Sequence, residues 1–428
     1  HTFPWLQGTV LKDVYVDHHF LYHVFLIPFV RLFNPLVGIK VATVLFGAGA
    51  LTMLYAVLRV LRVSYPGFWT LLAFTSTGFL YRLNLAKTPG ISVFFLLLGL
   101  WLIIKYSLSR PVGLRQARIF YILFFILNFV YVWLYAAWPF LLVFTIIWWL
   151  AFFILGHRNV YPMPLCGIGG IVTGLIINPF FPENIQFMWW LVVRIGLINY
   201  REILNVGNEW RTLPFLDFVG SSFMVFTATI LDIVLALLVL RRVYKSRQSK
   251  ILVNLDYRRI VLWTALLVMT LLVFAGTLKA RRNLEYLVPF EAITAALGIT
   301  LWSQFFRLSL RRSIKDILHL PWLKFSTVIV PFLIAMMLVF AGLVRHITLM
   351  AQGLHSGFSI KSYEPIAKWL AKHTPAGAVV LLSDWDLFPM YFYLNDHNYY
   401  VEGLDPTLTY LKDPELASAI VKVWRGQA

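Results

Sequence analysis

Apolar runs of up to about twenty residues, separated by short hydrophilic breaks, recur along most of this chain. A helix rising 1.5 Å per residue needs about 20 apolar residues to cross the hydrocarbon core. Leu36–Leu58, Ser64–Tyr81, Gly90–Ile104, Ile119–Ala136, Trp138–Leu155, Pro162–Ile177, Phe218–Leu240, Ile260–Leu278, Leu284–Phe306 and Phe325–Val344 fit or approach that requirement, which predicts about ten spans. Helices joined by such short breaks run antiparallel. Two other apolar segments fit less well. His19–Phe33 is short and interrupted by Pro28 and Arg31, so it reads as a helix on or dipping into the membrane surface. Pro182–Tyr200 carries Trp189, Trp190 and Arg194, and Trp favours the headgroup level, so it reads the same way.

From about Ser356 the pattern changes. Ile366, Trp369 and Leu370 repeat at helical spacing within Tyr363–His373, which predicts an amphipathic helix. Pro375-Ala376-Gly377 reads as a turn, and Val379–Leu382 as a buried strand that ends in Ser383-Asp384-Trp385-Asp386. The expected fold class is an all-α polytopic membrane protein with a small external α/β domain at the C-terminus. Residues 1–35 would form an outer loop with its surface helix, 36–345 the transmembrane domain and 346–428 the soluble domain. No short internal repeat is evident. The opening at His1 and the stop at Ala428 give the expectation that an N-terminal helix precedes this sequence and that the soluble domain continues beyond it.

Composition sharpens the membrane reading. The chain is 60% hydrophobic and 13% charged, against about 25% charged in soluble proteins. Its net charge of +18 then reads as cytoplasmic loop charge and not as a nucleic-acid surface. The basic clusters fall on alternate loops: Arg59 and Arg62; Lys105, Arg110, Arg115 and Arg118; Arg158; Arg241, Arg242, Lys245, Arg247, Lys250, Arg258 and Arg259; Arg307, Arg311, Arg312, Lys315 and Lys324. This places His1–Pro35, Arg82–Pro89, Asn178–Asp217, Lys279–Asn283 and the tail on the opposite, external side of a plasma (inner) membrane. The single cysteine, Cys166, excludes an internal disulfide.

Candidate chemistry concentrates in those external segments. Asp17-His18-His19-Phe20-Leu21-Tyr22-His23 gathers one carboxylate and three imidazoles. Asp17 could act as a general base, with Asp13 one helical turn earlier in support. It could instead hold a divalent cation such as Mg or Mn, with His19 as a second ligand and His23 one turn further on. The plain alternative is that the carboxylates are solvated and the rings sit at the interface. Arg82 and Lys87 offer cations to a phosphate or simply to headgroups. Arg281 and Arg282 stand outside against the topological charge bias, beside Glu285 and Tyr286, which suggests an anionic ligand or an ion pair with Glu285 at helical spacing. In Glu209-Trp210-Arg211, Trp210 could stack on a sugar and Glu209 bond its hydroxyls, or the charges could pair within the loop. Asp232 and Glu291 lie within spans, where carboxylates are costly; Asp232 reads as helix packing, and Glu291 could touch a cavity. Asp384 and Asp386 read as acceptor contacts or a loop cap. No Walker loop, dinucleotide fingerprint, cysteine-pair metal site or serine elbow occurs.

The order of an external acidic loop, a surface helix, many spans and an external soluble domain resembles the GT-C superfamily of membrane glycosyltransferases. That group includes protein mannosyltransferases, aminoarabinose transferases and oligosaccharyltransferase catalytic subunits. His18-His-Phe-Leu-Tyr-His23 is similar to the superfamily's His-Pro-Pro-Leu-Tyr-Tyr element, without its prolines, and Asn178-Pro-Phe-Phe-Pro182 is also similar to segments of its members. The resemblance implies sugar transfer from a polyprenyl-phosphate donor to an acceptor on the external face. Asp17 would be base or metal ligand. Arg82, Lys87, Arg281 and Arg282 would serve the lipid phosphate; His19, His23, Glu209, Arg211 and Tyr286 would make further substrate contacts. Arg82-Leu-Asn-Leu-Ala-Lys-Thr-Pro89 lacks the second carboxylate that members often carry in this loop. That departure keeps a second reading open, a non-catalytic subunit of the same fold within a larger membrane complex. A lipid or solute transporter is a third, weakened by the scarcity of charge inside the spans.

Overall fold

A computed structural model of the protein describes residues 2–108, 113–154, 162–246, 257–310, 330–355 and 359–427. Among the described residues seven helices are long and apolar enough to cross a membrane, which makes this a membrane-embedded helical protein. In chain order the helices of the membrane part are α1 (Phe20–Leu32), α2 (Pro35–Val60), α3 (Pro66–Ala73), α4 (Thr77–Leu83), α5 (Pro89–Leu108), α6 (Leu114–Leu134), α7 (Trp138–Ile154), α8 (Pro162–Ile176), α9 (Glu183–Trp189), α10 (Phe215–Ser246), α11 (Tyr257–Lys279), α12 (Leu284–Leu310) and α13 (Val330–His355). Three of these, α1, α7 and α8, are apolar but shorter than 18 residues.

One expected span is corrected. Ser64–Tyr81 is not a continuous helix but α3 followed by α4, with the chain turning at Phe74–Ser76. The hydroxyls explain the break. Thr75 Oγ1 donates to the Leu72 carbonyl at 2.7 Å, and Ser76 Oγ accepts the Phe79 N–H at 3.3 Å, so side chains take over backbone groups that a continuing helix would pair. The beginning of the Phe325–Val344 span lies outside the described residues, as do the basic residues Arg110, Arg158, Arg247, Lys250, Arg311, Arg312, Lys315 and Lys324.

The bundle is organised around α12. Within its most apolar window 94% of residues are buried, against 17% for α13 at the periphery. Ala292, Ala295, Ala296 and Gly298 keep its surface low, so α10 and α11 pack closely on it. Asp232 of α10 sits in this contact fully buried, accepting from Trp263 Nε1 at 2.9 Å and from Trp302 Nε1 at 2.8 Å. Its carboxylate therefore clamps three helices, in keeping with the helix-packing reading. Glu291 is also fully buried, and its Oε2 has no hydrogen-bond partner. At one end of the bundle Arg259 donates to the Leu61 and Arg62 carbonyls at 2.9 and 3.3 Å, joining two of the basic clusters.

The tail packs on the opposite end. It comprises α14 (Glu364–His373), β1 (Val379–Val380), α15 (Phe388–Leu394), β2 (Tyr399–Tyr400), α16 (Pro406–Lys412) and α17 (Pro414–Trp424). β1 and β2 are parallel, with Val379 opposite Tyr399 and Val380 opposite Tyr400. The expected strand Val379–Leu382 thus shrinks to two residues, and the tail is mostly helical. Its sheet draws on a segment that hydropathy alone assigned to a loop. Gln7 N donates to the Tyr400 carbonyl, Tyr400 N to the Trp5 carbonyl and Gly8 N to the Val401 carbonyl, at 2.7–2.9 Å. Leu6, Leu11 and Val16 enter one buried cluster with Ala367, Leu382, Phe388 and Tyr400 of the tail and with Phe180, Phe187 and Ile195 beside the membrane helices.

Candidate functional site

The external segments expected from charge placement converge at the tail end of the bundle. α4 carries Arg82 in its last turn, after the Ser76 cap fixes where the helix starts. Arg82 Nε donates to Glu285 Oε2 at 2.7 Å, and its Nη1 donates to Glu209 Oε2 at 2.6 Å. Glu209 Oε1 lies 3.5 Å from Arg282 Nη1. Arg282 in turn rests 4.2 Å over the Trp210 ring and donates to the Tyr135 hydroxyl at the end of α6. The result is a continuous chain, Glu285–Arg82–Glu209–Arg282–Tyr135, drawn from loops up to 203 residues apart.

The chain of charges lies largely out of water. The Arg82 side chain is 8% exposed and that of Glu285 is 0% exposed, while Glu209 keeps 27%. Glu285 Oε1 is buried without a partner. Burial acts to raise the Glu209 carboxyl, but Arg282, Arg82 and Lys87, together with the Arg82 hydrogen bond, bring it down to about 2. Lys87 itself is exposed. Two arginines facing two carboxylates leave the buried chain compensated.

The histidine segment joins from the other side. The His19 ring stacks on Tyr135 with centroids 5.1 Å apart, and His18 stands 3.8 Å from His19. Burial takes His18 down to about 4 despite the attraction of Asp17. His19 is pushed well below its ordinary value, first by burial and then by His18, His23, Arg282 and Lys87; its Nε2 is buried without a partner. Both rings are therefore neutral at pH 7. Asp17 Oδ1 accepts the His19 backbone N–H at 3.0 Å, and its Oδ2 lies 2.7 Å from His23 Nδ1. The carboxylate thus shapes the entry into α1 and holds an imidazole that is 52% exposed. Val16, Asp17, His18, Asn178, Asn184 and Phe187 border a cavity of about 10 Å³, at the lower limit for one water.

The remaining candidates distribute as follows. Asp13 is apart from Asp17 and pairs with Lys412 of the tail at 2.9 Å. Arg281 turns outward, its Nη2 3.5 Å from the Thr212 carbonyl. Arg211 Nη2 donates to Asn205 Oδ1 at 3.1 Å. Tyr286 points into the bundle, where its hydroxyl meets Ser92 Oγ at 3.1 Å and Ser92 Oγ meets the Tyr131 hydroxyl at 3.0 Å. Asp384 Oδ1 accepts the Asp386 N–H at 3.1 Å, a loop cap, while Trp385 Nε1 donates to the Asn205 carbonyl at 2.8 Å and docks the tail on the loop that carries Glu209. Among the described residues no group of three or more His, Cys, Asp or Glu side chains is placed to hold a metal ion, so the expected Asp17–His19 pair has no third ligand of these types there.

The sequence reading missed one member and one pairing. Tyr135 ends an apolar run and carries no local signal, and the partner of Glu285 is Arg82 on another helix rather than Arg281 or Arg282 at helical spacing. The tail adds a further acidic group. Burial, then Asp405 and Asp384, raise the Glu402 carboxyl to about 7. Asp405, which caps α16 through the Thr407 N–H at 2.8 Å, is also raised by burial and feels both Glu209 and Arg282. The chain matches no protein-family model, and no curated protein matches it significantly.

Proposed function

We propose that the protein is a membrane glycosyltransferase of GT-C kind, moving a sugar from a polyprenyl-phosphate donor to an acceptor at the outer face of the plasma membrane. One observation carries the reading. Residues that the sequence singles out in four separate loops, around Asp17, Arg82, Glu209 and Arg282, gather at one end of the bundle beneath a tail that borders them. Asp17 takes the acceptor proton, with His23 as its bonded outlet toward solvent. Lys87 and Arg281, both exposed, are the cations turned toward a lipid phosphate. Arg82 and Arg282 are engaged by carboxylates and hold the loops in register.

The compensated charge of the buried chain also favours a second reading, a GT-C-like subunit that serves as a scaffold for other membrane subunits. One experiment separates the two. The protein is reconstituted in nanodiscs with polyprenyl-phosphate hexoses, and sugar release and donor binding are measured. The transferase reading expects donor binding and turnover in the parent protein. It expects Asp17→Asn to abolish turnover with membrane insertion intact, and Lys87→Ala to weaken donor binding. Full turnover in Asp17→Asn removes that residue from the chemistry. No donor binding by the parent, together with stable co-purification of other subunits, establishes the scaffold instead.

A further inference from the structure

The helix α14 presents its apolar stripe outward. Helical spacing predicts an amphipathic helix with Ile366, Trp369 and Leu370 along one stripe. The face that packs centres on Ala367, with Leu370 half-buried, and on Tyr363, whose ring meets Tyr391 at 5.8 Å. Ile366 is left 54% exposed and Trp369 57% exposed. Trp369 lies flat on His373 of the same helix, with ring centroids 4.7 Å apart. Successive residues turn 100° around a helix, which puts Lys368 and Lys372 on one flank of Trp369 and Ile366 on the other. Lys361, just before the helix, is exposed as well. Among the described residues, Lys368 is the one of these offset by a carboxylate, Glu364 at 2.6 Å.

Ile366 and Trp369 thus form an exposed apolar pair with lysines along one side of it. A helix at a bilayer surface uses such a face, because Trp settles at the headgroup level and lysines reach anionic phosphates beside it. The chain places α14 within reach of such a surface. Only four residues separate His355, at the end of the apolar helix α13, from Ile360, a stretch that spans at most about 18 Å. Ala367 also belongs to the buried cluster that holds Phe180, four residues after the end of α8.

We propose that the Ile366–Trp369 face of α14 docks on an anionic lipid surface, so that the tail rests on the bilayer as well as on the helix bundle. Trp369 and Ile366 enter the headgroup layer, and Lys361, Lys368 and Lys372 meet the lipid phosphates. The contact fixes the height of the tail over the site at the bundle end, independently of the reaction run there.

The chain has a single cysteine, which makes site-directed labelling direct. With Cys166→Ser as background, Ile366→Cys carries an NBD probe in the full chain, in nanodiscs of phosphatidylcholine with or without phosphatidylglycerol. The expected result is a blue-shifted emission in the anionic discs, quenching by nitroxide-labelled acyl chains and protection from aqueous iodide. Changing Lys361, Lys368 and Lys372 together to Gln should return emission and iodide quenching to the values of an exposed probe. Trp369→Cys supplies the same readout should the first variant fail to insert. Three results overturn the proposal. Iodide access equal in both lipids, without nitroxide quenching, means an open face. Protection from both quenchers means a protein partner. Nitroxide quenching that ignores both the anionic lipid and the lysine changes means that the lipid's charge is not recognised.

Discussion

Replacing Arg82 by methionine probes the buried charge chain most directly. Arg82 serves two carboxylates through separate nitrogens, at 2.7 Å to Glu285 and 2.6 Å to Glu209. Removing one member of a buried pair strands the other and costs about 3–5 kcal/mol. Here the two stranded carboxylates differ. Glu209 is 27% exposed and keeps Arg282 at 3.5 Å, so its share is small, as for exposed pairs. Glu285 is 0% exposed and has no other partner among the described residues, so it accounts for most of the loss. Arg82→Lys should fall between, because an ammonium is a point charge without the fork that reaches both acids. Pairing Arg82→Met with Glu285→Leu removes the stranded charge. Buried pairs exchanged for apolar groups of similar volume are often neutral, so the double variant should regain about 2–4 kcal/mol of the single loss. Unfolding titrations in mixed micelles on the two single variants and the double give the coupling directly. Single losses below about 1 kcal/mol that simply add in the double would refute the reasoning, since that is how solvated surface pairs behave.

Other expectations follow from the same contacts. A Cβ at Gly298 would collide with the Asp232 carboxylate and stand 2.5 Å from Trp263 Nε1; Gly298→Ala should therefore cost about 3 kcal/mol or more in the same titration, whereas Gly220→Ala, which meets nothing within 4 Å, should not. A histidine lowered on folding stabilises the fold above its unfolded value and loses that contribution as pH falls toward its folded value. The melting temperature should thus drop between pH 6.5 and about 4, the window of His18, and His18→Phe should flatten the drop; an unchanged profile would exclude His18 as its source. Gly8→Val would press a side chain onto the Val401 carbonyl, where a Cβ already falls at 2.5 Å. At a cost of about 1–3 kcal/mol it should free the first residues from the tail, seen as faster tryptic cleavage at the exposed Lys12.

The sequence revealed media better than partners. Long apolar runs locate helices because length and apolarity are local properties, and alternate basic loops foretold that Asp17, Arg82, Glu209 and Arg282 would share one end. The Thr75–Ser76 break was less visible, because two hydroxyls within an apolar run give no composition signal until their bonds are seen. Arg82 with Glu285, and Trp5–Gly8 with Tyr399–Val401, are pairings across 203 and roughly 390 residues, which no local pattern encodes. For α14 the periodicity was read correctly as amphipathic, but periodicity does not say which of two faces meets protein and which meets another medium.

The backbone pairing of Trp5–Gly8 with Tyr399–Val401 has a consequence for counting. Strands that share hydrogen bonds occupy one compartment, so the chain between residues 8 and 399 must traverse the bilayer an even number of times. The long apolar helices among the described residues number seven, which is odd. If all seven cross, parity needs one further traverse, and the broken pair α3–α4 and the shorter apolar helices α1, α7 and α8 are the described segments available to make it. The contact between the two ends of the sequence thus acts as a parity check on membrane insertion: a chain threaded with one crossing too few cannot close its own sheet.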